Sequence, residues 1–563
     1  MKVDGQAVAR EQQLLAVYIS KAVNKIASAR LVYLDGIAAA SDFPLSNTDL
    51  FLPGKDIEIL AGAESNPVSL FKGIVIRQGL KVRDNSAPQL LVECRHKAVK
   101  LTVGRKNAYF FDQTDGDIIT ALLGKAGIKA DVKDLAVTHK QQVQYGSTDW
   151  DFLLTRAEAN GKLVYTNDDS VTVKAPAFNG KPICTLQFGS TIIEMDTEID
   201  ARLQYRAVKS FTWDAAQQKV VEKDAADPGV AGPGNLQNDD LAAVAALDHY
   251  ALQDAAITEE EAQAWADAQW LKSKMSKVCG RIKCEGIAAI NPGDMVSLSG
   301  VGKRYSGDVF VTGIRHDFDL VQGWKTHVQF GHTHKWLAEE QPISAPPAAA
   351  LLPGISGLQV GVVVSNEDPD GEHRVRVRMP LVDNAEDGTW ARVAVLDAGD
   401  QRGFFFRPEV GDEVVLGFLN NDPRQAVILG MLHSSAKPAP LQGSDDNHEK
   451  AYQSRSKMKL YFNDDKKIMQ FETPAGNTIT LSEKDKAIKI ADQNGNKIEM
   501  TEDGIKLESS KALQLKAGTE VKLEAETSLG VKSGTELKLE GTAGAEISST
   551  AITKVKGSLV QLN

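Results

Sequence analysis

Apolar and polar positions alternate through most of the chain, and the period is usually the two residues of a strand. Residues 29–36 (Ala-Arg-Leu-Val-Tyr-Leu-Asp-Gly) predict a strand ending in a turn. Residues 51–59 predict a turn followed by an alternating strand, and residues 71–76 another strand. Helical spacing is local. Thr114-Asp115-Gly116-Asp117 ahead of Ile118, Ile119, Leu122 and Leu123 predicts a capped amphipathic helix. Residues 145–153 open a second helix, capped by Ser147 or Asp149 and running towards Asn160-Gly161. Leu163-Val164-Tyr165 then returns to a strand. Asp227-Pro228-Gly229, Gly232-Pro233-Gly234 and Asp239-Asp240 mark an irregular insertion over residues 222–257. Thr258 and Glu261 form a capping-box pattern for a helix through Trp265, Trp270 and Leu271. Strands resume at 291–298, 307–313 and 324–330.

Residues 341–354 hold Pro342, Pro346, Pro347 and Pro353 among alanines, the composition of a linker. Five short alternating runs follow within residues 355–433, at 360–364, 374–379, 389–395, 413–419 and 426–432. They predict a small closed β barrel of the OB kind. Residues 434–456 form a polar connector.

The last stretch, within residues 457–563, is strictly periodic. Leu507, Leu515, Leu523, Val531, Leu539, Ile547 and Val555 recur every eight residues. Two places earlier stand Ile505, Leu513, Val521, Leu529, Leu537, Ala545 and Thr553. Two places later stand only small residues: Ser509, Ala517, Ala525, Ser533, Gly541, Ser549 and Gly557. Apolar residues at i and i+2, then a small corner residue, describe one short strand and one turn per octad. Glu508, Lys516, Glu524, Lys532 and Glu540 alternate in sign between the columns, so stacked neighbours attract. No helical period fits. One octad supplies only one side of a core, so an intertwined trimer is expected, with Ile505, Leu507, Leu513, Leu515, Val521, Leu523, Leu529, Val531, Leu537, Leu539, Ile547 and Val555 inside. Roughly ten such units at about 4.8 Å each make a needle about 45–50 Å long. The expected fold class is mainly β: an α+β N-terminal part, an OB-type barrel and a C-terminal intertwined triple-stranded β-helix, or β prism.

Composition narrows the function. The chain has 563 residues, room for three or four domains, and a net charge of −11 that a trimer would triple. That argues against nucleic acid as a partner and against more than transient contact with a membrane. Four cysteines are too few for a disulfide scaffold. The N-terminus is polar, with no apolar signal core, and no run approaches a membrane span. Synthesis in the cytoplasm is expected, with export by a route other than a signal peptide. From residue 476 onwards there are 12 Lys against 13 Asp and Glu, and no aromatic residue, proline or histidine. This suits a mechanical rod.

Candidate chemistry is sparse. Cys279 and Cys284 with His332 and His334 are conceivable as a Cys2His2 metal site, but the spacing matches no compact zinc module. Glu409 and Asp412 read as barrel-turn residues, not as a glycosidase pair. Gly300-Val301-Gly302-Lys303 lacks the spacing of a phosphate loop. Arg374, Arg376 and Arg378 alternate with valine on one strand and read as a polar outer face or a subunit contact, not a nucleic-acid surface. No catalytic residue, cofactor or metal is expected.

Several motifs together resemble the VgrG-type spike proteins of contractile injection systems. They are Trp390-Ala391-Arg392-Val393, Phe406-Arg407-Pro408-Glu409-Val410-Gly411-Asp412-Glu413-Val414, Gly417-Phe418, Asp422-Pro423 and Leu429-Gly430. Upstream, Tyr145-Gly146-Ser147-Thr148-Asp149-Trp150-Asp151-Phe152-Leu153 is similar to a family stretch, and Pro292-Gly293-Asp294 and Tyr305-Ser306-Gly307 fit nearby strands. The resemblance implies a homotrimer in which residues 1–340 form a tail hub on the inner tube, 355–433 a neck and 457–563 a puncturing needle. It also implies inner-tube and baseplate partners, effector cargo, and a PAAR-type tip protein docked on Leu559, Val560, Leu562 and Asn563. The connector is too short for an inserted lysozyme domain, and no effector domain follows the octads. The expectation is therefore a bare structural spike, of a type VI system or an extracellular phage-tail-like particle in preference to a phage. The alternative is the stalk of an envelope-degrading enzyme or a receptor-binding fibre.

Overall fold

A computed structural model describes residues 1–9, 11–62, 66–255 and 257–562. The chain divides at the barrel into two compact units, Met1–Arg407 with Leu416–Leu429, and Pro408–Val415 with Gly430–Asn563.

The first unit is built on a 13-stranded sheet. From the edge strand Ile192–Ile199 it runs through Val278–Glu285, Gly323–Phe330 and Gly307–Asp319 to Leu14–Ala22, Ser28–Leu34, Ser86–Arg95, Val68–Arg83 and Asp56–Ala61. The joint is the antiparallel pairing of Leu14–Ala22 with Gly307–Asp319, in which Ile19 faces His316. Such distant partners cannot be read from local alternation. Leu31, Tyr33, Phe51, Phe71, Leu90 and Val92 fill the core on one side of the joint, and Val296, Val311, Val328 and Phe330 fill it on the other.

Helices α1 (Asp115–Lys125) and α2 (Asp149–Ala159) pack into a separate core with Phe110, Val164, Val171 and Val173. The predicted cap of α1 is a reciprocal one, formed by Thr114 and Asp117. The cap of α2 is Thr148, whose hydroxyl accepts from the Asp151 amide at 3.0 Å, and not Ser147 or Asp149. Three adjacent residues here are all good caps. The choice falls on Thr148 because Asp149 is buried and turned to Lys106 and Gln144, which donates to it at 3.0 Å. Trp150, Phe152 and Leu153 are buried, so this motif is the helix's core face.

The segment 222–257 is more ordered than its turn residues predict. It continues the strand Lys219–Asp224, forms helix α3 (Asn238–Ala245) and adds the strand Tyr250–Asp254 in parallel to Val208–Asp214. Helix α4 (Glu259–Met275) follows, opened by the Thr258–Glu261 capping box.

Gln359–Ser365, Val375–Arg378, Thr389–Val393, Glu413–Phe418 and Ala426–Met431 close into a five-stranded barrel. Its inward positions are Val363, Val375, Val377, Ala391, Val414, Leu416 and Ile428, all buried. Two of the three outer arginines, Arg374 and Arg376, are ion-paired. Arg374 meets Asp368 at 2.8 Å and Asp370 at 2.5 Å, Arg376 meets Asp387 at 3.0 Å, and both lie over the Trp390 ring.

Candidate functional site

In the second unit, Glu449–Gln453, Lys459–Asn463, Ile468–Glu472, Thr478–Ser482, Ala487–Ala491, Lys497–Thr501 and Gly504–Glu508 form a seven-stranded antiparallel meander. Each strand has five residues, joined by polar turns. Asp492, for example, accepts the amides of Asn494 and Asn496, both at 2.9 Å.

Equal strand length keeps the pairing in step, so side chains form rows across the sheet. One row is Tyr452, Leu460, Phe471, Ile479, Ile490, Ile498 and Leu507. A second is Phe462, Met469, Leu481, Ile488, Met500 and Ile505. The rows lie two residues apart on each strand and therefore share one face. The opposite face carries Lys489, Glu499 and Lys506 in register, and Lys497 pairs with Glu508 at 2.9 Å. In the single chain the apolar face lines an open trough of about 930 Å³ and stays about two-fifths exposed along Phe471, Ile479 and Ile490. An uncovered apolar face of this length marks an interaction surface.

Ile505 and Leu507, which the octad period assigns to the prism, stand on the last strand of this meander opposite Met500 and Ile498. The turn at Gly504, with φ +126°, closes that hairpin. Beyond Glu508, residues 509–562 form no strand among the described residues. Leu513, Leu515, Val521, Leu523, Leu529, Val531, Leu537, Leu539, Ile547 and Val555 are all exposed, Leu539 at 73%. Leu559, Val560 and Leu562 are exposed as well, and Asn563 lies outside the described residues. The ten apolar residues from Leu460 to Met500 join the same face, although the eight-residue period does not reach them. Their signal is the i, i+2 apolar pair inside each five-residue run.

The other candidate residues are dispersed. Cys279 and Cys284 sit five residues apart on one strand and so face opposite sides. Their thiols contact backbone carbonyls, Cys279 that of His332 at 3.8 Å and Cys284 that of Thr326 at 3.4 Å. Burial pushes the thiols up to about 11 and about 12. Among the described residues no cluster of three or more His, Cys, Asp or Glu could hold a metal ion. Glu409 and Asp412 belong to a barrel turn, where Asp412 accepts from the Glu409 amide at 2.9 Å and Glu409 pairs with Arg455 at 3.2 Å. Gly300 to Lys303 form the turn between the strands Met295–Ser299 and Gly307–Asp319.

A large β platform, an OB barrel and a one-faced apolar C-terminal stretch, in that order, define the class of VgrG-type spike proteins of contractile injection systems. The chain belongs to the family described as the Alg8 N-terminal domain, whose model matches residues 1–319. Residues 359–433 match the type VI secretion system/phage-baseplate injector OB domain, and 468–553 the phage baseplate V C-terminal trimerisation domain. The actin cross-linking toxin VgrG1 of Vibrio cholerae is 30% identical over 154 residues, 26% of this chain and 13% of that protein. The type VI secretion system spike protein VgrG3 of the same species is 30% identical over 135 residues, 22% of this chain and 13% of that one. The matched region spans under a third of the length of the curated relatives. Among solved structures, a tail protein from Neisseria meningitidis has a TM-score of 0.43 and 16% identity, over 61% of this chain and 98% of that one.

Proposed function

We propose that three copies of this chain assemble into a spike that caps the inner tube of a contractile injection machine and pierces the target envelope when the sheath contracts. In that assembly the octad columns of residues 513–555 turn inwards, each chain supplying one side of a prism. The observation that carries this reading is the continuous apolar face, largely uncovered in the single chain, and the exposed strandless octads beyond it. Leucines spaced this regularly in water need a partner of the same period, and another copy of the chain has that period. The match to a trimerisation domain over 468–553 supports the same stoichiometry. Leu559, Val560 and Leu562 then present an apolar surface for a separate tip protein.

The spike acts mechanically, without a catalytic step of its own. It is made in the cytoplasm and carried out by the machine. Light scattering on the full chain is expected to give three times 60.9 kDa, and truncation at Ser456 to weaken or abolish the trimer. A monodisperse full-length monomer overturns the proposal. Soluble fragments released from purified cell envelopes by the trimer overturn the mechanical reading.

A further inference from the structure

Lys277 follows helix α4, and its side chain is only 3% exposed. The Ala231 carbonyl, 3.1 Å away, takes one of its three protons, and the Asp240 carboxylate favours its charge through space. A buried ammonium with so few partners is costly unless something else meets it. Beside it lies a cavity of about 710 Å³, lined by Phe178, Met275, Met295, Val309 and Phe310. Phe178 and Phe310 tilt together, ring centres 5.2 Å apart.

The outer wall is the strap Asp227–Gly234, tied at both ends. Asp227 pairs with Lys274 and accepts the Gly229 amide at 2.8 Å. The Gly234 amide donates to the Ser306 carbonyl at 3.0 Å, where a Cβ would sit 1.9 Å from the Arg304 carbonyl oxygen. Only glycine fits there. Lys274 is thus committed to Asp227, and Asp308, also on the lining, is exposed to solvent, whereas Lys277 is buried.

We infer that this cavity binds a small molecule with an apolar body and a single carboxylate, the carboxylate meeting Lys277. The volume lies within the range of ligand pockets, about 300–1,000 Å³. Besides Asn179, Lys274 and Asp308, the lining is apolar side chains and strap backbone, which suit an aliphatic body. Burial also holds the Lys277 ammonium below its usual range, a cost that a bound carboxylate removes.

The test uses octanoate and its neutral analogue octanamide, titrated calorimetrically into the full-length protein. Octanoate is expected to bind once per chain, at least tenfold more tightly than octanamide, and K277M to abolish that difference. In the unaltered protein, octanoate is expected to slow acylation of Lys277 at least threefold, mapped by peptide mass spectrometry, with exposed Lys303 unaffected. This second arm does not depend on K277M folding. Equal octanoate binding by K277M and the unaltered protein overturns the inference, as does the absence of binding or of protection at Lys277. Octanoate held on the apolar face of the meander would give the first of these results.

Discussion

Asp115 is wholly buried at the start of α1, and its charge is met by three residues from the C-terminal end of α2 and the strand Thr138–Ser147. Arg156 donates two bonds to it at 2.6 and 2.9 Å, Asn160 one at 2.8 Å, and His139 lies 3.0 Å away. Burial alone would raise its pKa, but Arg156, His139 and Asn160 outweigh burial and hold it below the usual carboxylate range. Asp115→Asn leaves Arg156 with only the Glu261 carboxylate, 3.5 Å away, as counter-charge and is expected to cost up to about 3 kcal/mol. The check is a fall in urea midpoint at unchanged slope. His316 shows the opposite case. It is buried between Thr326 and Trp324 near Lys21, and burial first, then Lys21, hold its pKa down to about 4. The folded chain keeps it neutral while the unfolded chain takes up a proton below about 6.5. Its contribution, up to about 3 kcal/mol, is complete above pH 6.5 and is lost as pH falls to about 4. His316→Gln is expected to flatten the decline of melting temperature across that window. A parallel decline in wild type and variant would refute this. His332, held at about 4 mainly by burial, leaves a residual slope of the same sign.

At the scale of elements, what was legible in the sequence is what repeats locally. The barrel strands follow from runs such as Arg374-Val375-Arg376-Val377, where each valine faces the buried interior and each arginine a carboxylate outside. The capping boxes of α1 and α4 are equally local. The parallel pairing of Tyr250–Asp254 with Val208–Asp214 was not legible, because no local pattern names a partner some forty residues away. The apolar columns were legible as a period. Their upstream continuation was not, because turns of unequal length break the eight-residue count while each strand keeps its i, i+2 pair. The octad reading makes a further prediction. Deleting residues 517–524 removes one whole period and realigns every column, so a trimer of undiminished heat resistance is expected. Deleting only 517–520 sets Leu513 and Leu515 out of step with the columns below and is expected to lower the melting temperature of the trimer by at least ten degrees. Equal tolerance of both deletions, by thermal melts and light scattering, would refute the stacked-octad arrangement.

For the whole molecule, in the proposed trimer three chains wound through a common core would part only by unwinding together, so the barrier to exchange would exceed that of a surface contact. Trimers of two differently tagged preparations, mixed after purification, are expected to stay unmixed for days at 25 °C by native mass spectrometry. Mixed trimers appearing within minutes would show subunits that merely touch. The apolar face of the meander also bears on the order of synthesis. Residues 1–431 contain the sheet and barrel that bury their own cores, and they leave the ribosome before the first row of that face is complete. The sticky part therefore follows domains that have already closed, and its nearest company is sister chains on the same messenger at the same stage. An arrangement that would be an aggregation hazard in an N-terminal domain becomes, in this position, a timer that delays self-recognition until each copy is ready for it.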